Sequence, residues 1–179
     1  MSELKNFPIP LLGFAAFSGT GKTTLLEQLI PKLVEQGINI AIVKHSHHDI
    51  EMDKPGKDSY RLRKAGACQL LLAGTTRSIL FKENGQQQDK KLIEQLMLLD
   101  SKDLDLVLVE GYRDEPFNKI ELHRCQLNKP FMYLEDESII ALACDQTQQD
   151  CHLKQLDLND IEQFSEFVLQ YLKKSRLKA

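Results

Sequence analysis

The chain has 179 residues, of which 42% are hydrophobic and 27% are charged, and its formal net charge at pH 7 is −3. This length is enough for one hydrophobic core, so we expect residues 1–179 to form a single domain. The slight negative charge excludes a general affinity for nucleic acid or for anionic membranes, and the apolar runs are too short to span a bilayer.

The four cysteines are Cys68, Cys125, Cys144 and Cys151, and no two of them form a C-x-x-C pair. We expect them to be reduced and to pack as small hydrophobic side chains, as in a protein of the reducing cytoplasm. A metal site formed by Cys144, Cys151 and His152 is an alternative to this interpretation.

The first apolar segment, residues 11–17, leads into a glycine-containing loop, Ser18–Gly21, and then into Lys22. A strand, a tight loop and a helix in this order predict a phosphate-binding loop, because the N–H groups of the loop and of the helix N-terminus attract an anion. The pattern ordinarily begins with glycine, whereas this chain has Ala16, which fits there if its φ is negative.

We expect seven consecutive residues to contact the phosphates of a nucleotide: Ser18, Gly19, Thr20, Gly21, Lys22, Thr23 and Thr24. Lys22 brings a full positive charge to the outer phosphates and is the predicted catalytic lysine. The hydroxyl group of Thr23 is a predicted ligand of Mg²⁺.

The helix that begins at Lys22 has apolar residues at helical spacing over residues 25–34. Pro31 lacks a backbone N–H, so we expect this helix to kink or restart there. Gly37 is its expected end. Residues 38–43 then predict a second buried strand.

A long polar loop over residues 46–57 follows the second strand. Ligands bind at the carboxyl ends of parallel strands, so we expect four side chains to face one crevice: Lys44, His45, His48 and Asp49. Three interpretations remain open here. They are a metal site with Asp49 as a ligand, a loop that contacts phosphate or a partner, and a solvated polar loop.

The middle of the chain predicts a short helix and a hairpin. Asp58 is expected to cap a helix over residues 59–65, and Gly66 is expected to end it. Residues 69–73 and 77–82 predict two paired antiparallel strands, because β-like runs flank a Gly-Thr-Thr turn.

The second half of the chain alternates helices and strands. The predicted elements are a helix over 86–99, strands over 104–109, 117–124 and 139–144, and a last helix over 159–174. This alternation predicts an α/β fold, a P-loop NTPase-like, doubly wound and mostly parallel sheet with a β-hairpin addition.

Glu110 follows the apolar strand over 104–109, where an NTPase places the acid that serves Mg²⁺. We expect Glu110 to hold a Mg²⁺-bound water or to orient an attacking water. The alternative is a solvated carboxylate at the end of a strand. Hydrolysis is expected to be slow, because Arg77 and Arg113 are candidates for a catalytic arginine by position only.

Asp145 follows the strand over 139–144 and is the candidate for reading a guanine base, whose N1–H and N2–H₂ a carboxylate can accept. The chain has no Asn-Lys-x-Asp motif that would support this assignment. The alternative is a loop aspartate that caps a local backbone N–H.

Four segments together resemble the MobB family of molybdopterin guanine dinucleotide biosynthesis. They are FAAFSGTGKTTL at residues 14–25, KHSHHD at 44–49, DKPGKDSY at 53–60 and LVEGY at 108–112. The phosphate-binding loop is generic, whereas the second and third segments are much more specific.

The resemblance implies a homodimer that binds GTP and Mg²⁺, has weak GTPase activity and assists MobA, the guanylyltransferase that joins GMP to molybdopterin. It implies that Ser18–Thr24 hold phosphates, that Thr23 and Glu110 serve Mg²⁺, and that residues 44–59 line the dimer or partner-facing cleft. Molybdopterin itself is a further candidate ligand. The hairpin over 69–82 is the expected dimerisation element, because an exposed sheet edge invites pairing.

Two other functions stay open at this stage. A small-molecule kinase would use the same phosphate-binding loop and show fast turnover of ATP with one metabolite. A metallochaperone would use the histidine-rich loop, with four ligands: His45, His47, His48 and Asp49.

Overall fold

The computed structural model describes residues 3–46, 50–85 and 90–177. The chain divides into two compact units, which we call the larger unit (Met1–His45 with Lys91–Ala179) and the smaller unit (Ser46–Lys90). None of the helices in these ranges is both long and apolar enough to cross a membrane.

Eight strands and four α-helices make up the described chain. The strands are β1 (Leu11–Ala16), β2 (Ile40–Lys44), β3 (Gln69–Ala73), β4 (Ser78–Lys82), β5 (Leu106–Glu110), β6 (Lys119–His123), β7 (Ile139–Cys144) and β8 (Lys154–Asp157). The helices are α1 (Lys22–Glu35), α2 (Asp58–Lys64), α3 (Leu92–Leu96) and α4 (Ile161–Arg176). Short 3-10 turns lie at Glu3–Asn6, Cys125–Leu127 and Met132–Leu134.

The larger unit contains a six-stranded sheet in the order β2-β5-β1-β6-β7-β8. Each neighbouring pair of strands runs parallel. Strands β2 and β5 lie on one side of β1, and β6, β7 and β8 lie on the other, so the predicted doubly wound α/β fold is confirmed. In such a sheet the crevice for a ligand lies at the carboxyl ends of the strands beside the first strand.

Alternate residues of the strands pack into two hydrophobic layers, one on each face of the sheet. Leu12 of β1 and Leu108 of β5 pack with α1 and α4 on one face. Leu11 and Val107 pack with α3 and the N-terminal 3-10 turn on the other face. Burial on both faces explains why β1 and β5 are almost continuously apolar.

Strand β2 differs from its prediction in being an edge strand of the described sheet. Among the strands that the structure describes it pairs only with β5, and Ile42 is 47% exposed. The expectation of a buried strand is therefore wrong, because an apolar run does not reveal how many neighbours a strand has. Strand β8 was not predicted, since its four residues, Lys154–Asp157, contain a single buried hydrophobic residue.

Helix α1 is continuous through Pro31, so of the two predicted alternatives, a kink or a restart, the restart does not occur. The proline removes one backbone donor, while the fully buried Leu29 and Leu33 on either side anchor the helix to the sheet. The predicted end of α1 at Gly37 is confirmed. Gly37, with φ of 77°, donates its N–H to the Val34 carbonyl at 2.9 Å, which closes the last turn.

Two other helices compare differently with their predictions. Helix α3 has only five residues, and residues 86–89 of its predicted span lie outside the described residues. Helix α4 is close to its prediction, because the side chain of Asp160 accepts the N–H groups of Glu162 at 3.0 Å and Gln163 at 3.2 Å and so caps the helix.

The smaller unit contains α2 and the predicted hairpin, in which β3 and β4 pair antiparallel. Asp58 is the first residue of α2 rather than its cap, and Lys57 occupies the cap position. Arg63 is 6% exposed and forms ion pairs with Glu51 at 2.5 Å and Glu83 at 3.1 Å. Its guanidinium group also lies 4.4 Å from the centre of the Phe81 ring, so one arginine joins α2 to the hairpin.

Candidate functional site

The loop between β1 and α1 has the geometry that its sequence predicts. Gly19 and Gly21 have φ of 82° and 96°, values that favour glycine, and α1 begins at Lys22. The Thr20 side chain is buried, and its hydroxyl donates to the Phe17 carbonyl at 2.7 Å. Ala16 is the last residue of β1 and is not among the residues with positive φ, which meets the condition for replacing glycine.

The predicted acid lies beside the predicted lysine. Glu110 ends β5, the strand between β1 and β2, and its side chain is 16% exposed. Its Oε1 lies 3.4 Å from the Nζ of Lys22, and its Oε2 lies 3.3 Å from the Nζ of Lys44. Two lysines from two different elements therefore converge on one carboxylate, and the three side chains together carry one net positive charge.

The backbone next to Glu110 is tightly connected to the end of β2. The N–H of His45 donates to the Glu110 carbonyl at 2.8 Å. Gly111 has φ of 96°, and a Cβ at this position would lie 2.6 Å from the Cβ of His45. Tyr112, with φ of 52°, stacks on the His45 ring with 4.5 Å between ring centres. These contacts hold the backbone around Glu110 in place.

A cavity of about 200 Å³ opens at the loop. Its lining residues are Phe14, Ala16, Phe17, Ser18, Lys22, Gly111 and Arg113. The guanidinium group of Arg113 lies 5.9 Å from the centre of the Phe17 ring, and the Nζ of Lys129 lies 5.7 Å from it. The surroundings of the cavity are thus cationic, as an anionic ligand requires.

Arg124 is a site residue that the sequence analysis missed. It follows β6, and its Nε donates to the carbonyl of Thr20 in the loop at 2.9 Å. Its terminal nitrogen would lie 3.6 Å from a Cβ at Gly21. The available signal was weak, because it consisted only of a charged residue after the carboxyl end of a strand next to β1.

Asp145 follows β7 at the same edge of the sheet. Its Oδ1 accepts the N–H of Cys125 at 2.9 Å, and this hydrogen bond lowers the pKa of the carboxyl group, with a further contribution from the positive charge of Arg124. This hydrogen bond agrees with the alternative interpretation, in which Asp145 is a loop aspartate that caps a local backbone N–H. The assignment to guanine stays a prediction.

Not every predicted site residue can be placed. Lys44 and His45 lie at the carboxyl end of β2, as expected, whereas His48 and Asp49 lie outside the described residues. The same holds for His47, so the histidine-rich metal site stays untested. Arg77 lies in the turn of the smaller unit's hairpin, where its carbonyl accepts the N–H of Gly74 at 2.9 Å.

Comparison with known proteins gives the family. The family model described as "Molybdopterin guanine dinucleotide synthesis protein B" matches residues 11–145. A "Molybdopterin-guanine dinucleotide biosynthesis adapter protein" of Escherichia coli (strain K12) is 44% identical over 167 residues, which cover 93% of this chain and 95% of that protein. The protein with the same description from Haemophilus influenzae is 42% identical over 168 residues, 93% of this chain and 92% of its own.

Solved structures agree on the fold. The crystal structure of a "molybdopterin-guanine biosynthesis protein B (mobB)" superposes with a TM-score of 0.71 at 24% identity, over 91% of this chain and 99% of the other. With the family model and two relatives above 40% identity over nearly their whole length, the chain belongs to the molybdopterin guanine dinucleotide synthesis protein B (MobB) family.

Proposed function

We propose that this chain is an adapter of molybdopterin guanine dinucleotide biosynthesis that binds GTP with Mg²⁺ at the loop between β1 and α1 and hydrolyses it slowly. The observation that carries the proposal is the contact of Lys22 with Glu110 across the loop, at 3.4 Å. A cation of the phosphate-binding loop and an acid of the neighbouring strand are the two charged parts that a P-loop nucleotide site needs.

The phosphates would be held by the loop residues Ser18–Thr24. The N–H groups of the first turn of α1 have no carbonyl partner within the helix, and they add to the charge of Lys22 in binding an anion. Glu110 forms an ion pair with Lys22. A triphosphate bound at the loop would pair with Lys22 instead, which would release Oε1 of Glu110 from this ion pair.

Thr23, in the first turn of α1, and Glu110, at the end of β5, fit a hard divalent cation, because they supply a hydroxyl and a carboxylate oxygen. Mg²⁺, when bound, would neutralise charge on the transferred phosphoryl group. Glu110 would hold a metal-bound water or orient the attacking water, and Lys22 would stabilise the outer phosphates. Arg113, which lines the cavity, is the candidate for a further charge on the γ-phosphate.

The base would lie toward β6 and β7. Arg124 holds the loop through Thr20, and Asp145 lies beside it with a lowered pKa, so an ionised acceptor is available for guanine N–H groups. Lys44 and His45, at the end of β2, would lie on the side of Glu110 that is opposite to the base.

The adapter description of the relatives implies a partner enzyme, for which we propose MobA, with molybdopterin as a second ligand. We also propose a homodimer that forms in the cytoplasm through the hairpin of β3 and β4. Leu71 and Leu80, a cross-strand pair in this hairpin, are 63% and 49% exposed and offer apolar surface to a second copy.

The test is calorimetric titration of GTP and, separately, of ATP into the purified protein with Mg²⁺. The same titration with Lys22→Ala locates the site, and Lys32→Ala is the matched control, because it removes a half-buried lysine of the same helix that pairs with Glu162. We expect preference for GTP in the wild type and in Lys32→Ala, and binding weakened by about 10- to 100-fold or more in Lys22→Ala. Equal or tighter binding of ATP would overturn the GTP assignment and favour a kinase.

A further inference from the structure

Two cysteines and an aspartate converge at the carboxyl edge of the sheet, in a cluster that the nucleotide site does not use as a whole. Cys144 ends β7 and Asp145 follows it, while Cys125 comes two residues after the end of β6. Because His123 of β6 is in register with Cys144 of β7, the sheet itself brings the three side chains together. One ligand atom of each lies within 4.8 Å of the others.

The distances match the edges of a tetrahedron around one metal ion. The two sulfur atoms of Cys125 and Cys144 are 3.6 Å apart, and Oδ1 of Asp145 is 3.8 Å from the sulfur of Cys144. With zinc–sulfur bonds of about 2.3 Å and zinc–oxygen bonds of about 2.1 Å, tetrahedral coordination requires S···S and S···O separations of about 3.8 and 3.6 Å. Both measured separations lie within a few tenths of an ångström of these values.

The remaining side of the cluster is polar. The side-chain amide nitrogen of Gln148 lies 3.6 Å from the sulfur of Cys125 and 3.7 Å from that of Cys144. This nitrogen also donates to the Gln146 carbonyl at 2.8 Å, which fixes the orientation of the amide, so a water molecule would supply the oxygen of the fourth ligand. Cys144 is buried, whereas Cys125 and Asp145 are half-buried, so the cluster is held by the fold and is still open to solvent on one side.

We propose that Cys125, Cys144 and Asp145 form a binding site for a divalent transition-metal ion of the zinc class, which we call the thiol site. Two sulfur ligands select such a cation over Mg²⁺ and Ca²⁺, which prefer oxygen ligands. On binding, each thiol gives its proton to the buffer and its sulfur to the metal ion. The site is distinct from the proposed Mg²⁺ position at Thr23 and Glu110 and from the histidine-rich loop.

The thiol site does not rest on nucleotide binding. It shares Asp145 with the proposed base contact, so a cation held there would compete with guanine for this carboxylate. Titrations of the metal are therefore made without nucleotide.

Co²⁺ is the probe, because a tetrahedral cobalt–thiolate site has a sulfur-to-cobalt charge-transfer band in the near ultraviolet, which nitrogen or oxygen ligands do not give. The full chain, freed of metal with a chelator, is titrated with Co²⁺ under reducing conditions. We expect one Co²⁺ per chain and bleaching of the band by one equivalent of Zn²⁺.

Three variants and two controls test the ligands. Cys125→Ala and Cys144→Ala should each weaken binding by more than about tenfold and remove part of the charge-transfer intensity, and Asp145→Asn should weaken it while keeping both thiolates. Cys68→Ala and Cys151→Ala are the matched controls, because both remove a free cysteine outside the cluster and should leave the band unchanged.

A readout in the wild type does not depend on whether a variant folds. Zn²⁺ should protect the half-buried Cys125 from alkylation, as located by peptide mapping, and leave the exposed Cys68 reactive. Absence of the charge-transfer band, its loss in Cys68→Ala or Cys151→Ala, or equal alkylation of Cys125 with and without Zn²⁺ would each overturn the proposal.

Discussion

Lys22 and Glu110 lie in contact, with 3.4 Å between Nζ and Oε1, although 88 positions separate them in the sequence. Lys44 reaches the other oxygen of the same carboxylate at 3.3 Å. The two lysines differ in their position relative to the loop, since Lys22 begins α1 whereas Lys44 ends β2 and its side chain is 60% exposed. This difference predicts different effects on nucleotide binding.

Lys22→Ala should weaken GTP binding by about 10- to 100-fold or more, because hydrogen bonds to a charged group contribute about 1.5–3 kcal/mol each. Lys44→Ala should change it by less than about fivefold, because an exposed ion pair contributes at most about 1 kcal/mol. Isothermal titration with GTP and Mg²⁺ measures both. Equal losses in the two variants would contradict the placement of the phosphates at the loop.

Glu110→Gln separates binding from hydrolysis. The amide keeps the size of the side chain and removes the charge that would serve the metal-bound water, so kcat for GTP should fall by about 10- to 100-fold while GTP affinity changes less. Phosphate release under single-turnover conditions measures the chemical step. Glu162→Gln, an exposed position on α4, is the control, and equal hydrolysis by Glu110→Gln and wild type would remove Glu110 from the mechanism.

Arg124→Ala should weaken GTP binding by about tenfold, because it leaves the Thr20 carbonyl without the donor that holds the loop. Arg124→Lys keeps the charge and should restore part of the affinity. Arg61→Ala removes an arginine of the smaller unit that is 75% exposed and serves as the control. Unchanged GTP affinity in Arg124→Ala would show that the loop keeps its conformation without this contact.

Gly111→Ala should destabilise the protein by about 3 kcal/mol or more. A side chain at φ of 96° costs about 1–2 kcal/mol, and the new Cβ would also lie 2.6 Å from the Cβ of His45. Gly37→Ala is a matched control, because Gly37 has φ of 77° and open space around its Cβ position. Only the cost of placing a side chain at a positive φ therefore applies there. Chemical denaturation measures both, and an equal loss in the two variants would contradict the predicted clash.

The buried Glu121 predicts a pH dependence of stability. Its two oxygens accept the N–H groups of Met132 at 2.9 Å and Tyr133 at 2.8 Å, yet burial raises its pKa above the ordinary 4.5. An acid with a raised pKa contributes its full stability below pH 4.5, and that contribution is lost as the pH rises through the folded-state pKa.

Glu121→Gln has no charge to titrate at this position. The free energy of unfolding of this variant, measured relative to wild type by denaturation, should therefore rise between pH 4 and pH 7. A difference between the two proteins that stays constant with pH would show that Glu121 ionises in the folded protein as readily as in the unfolded one.

Local patterns in the sequence determined much of the fold. The loop from Ser18 to Lys22, the ends of helices at Gly37 and Gly66, and the hairpin of β3 and β4 were predicted because each depends on neighbouring residues. The position of Glu110 was also predictable, since a buried strand that ends in an acid is visible in the sequence. A repeating alternation of strands and helices was enough to predict a parallel sheet.

The tertiary structure alone decided which distant groups meet. The edge position of β2, the contact of Arg124 with Thr20 and the approach of Cys125 to Cys144 depend on strand order and register, which no local pattern encodes. The sequence analysis had instead grouped Cys144 with Cys151 and His152, because they are close along the chain. Nearness in sequence follows from the covalent chain, whereas nearness in space follows from how the strands pair, and the latter assembled the lysines around Glu110 and the thiol site.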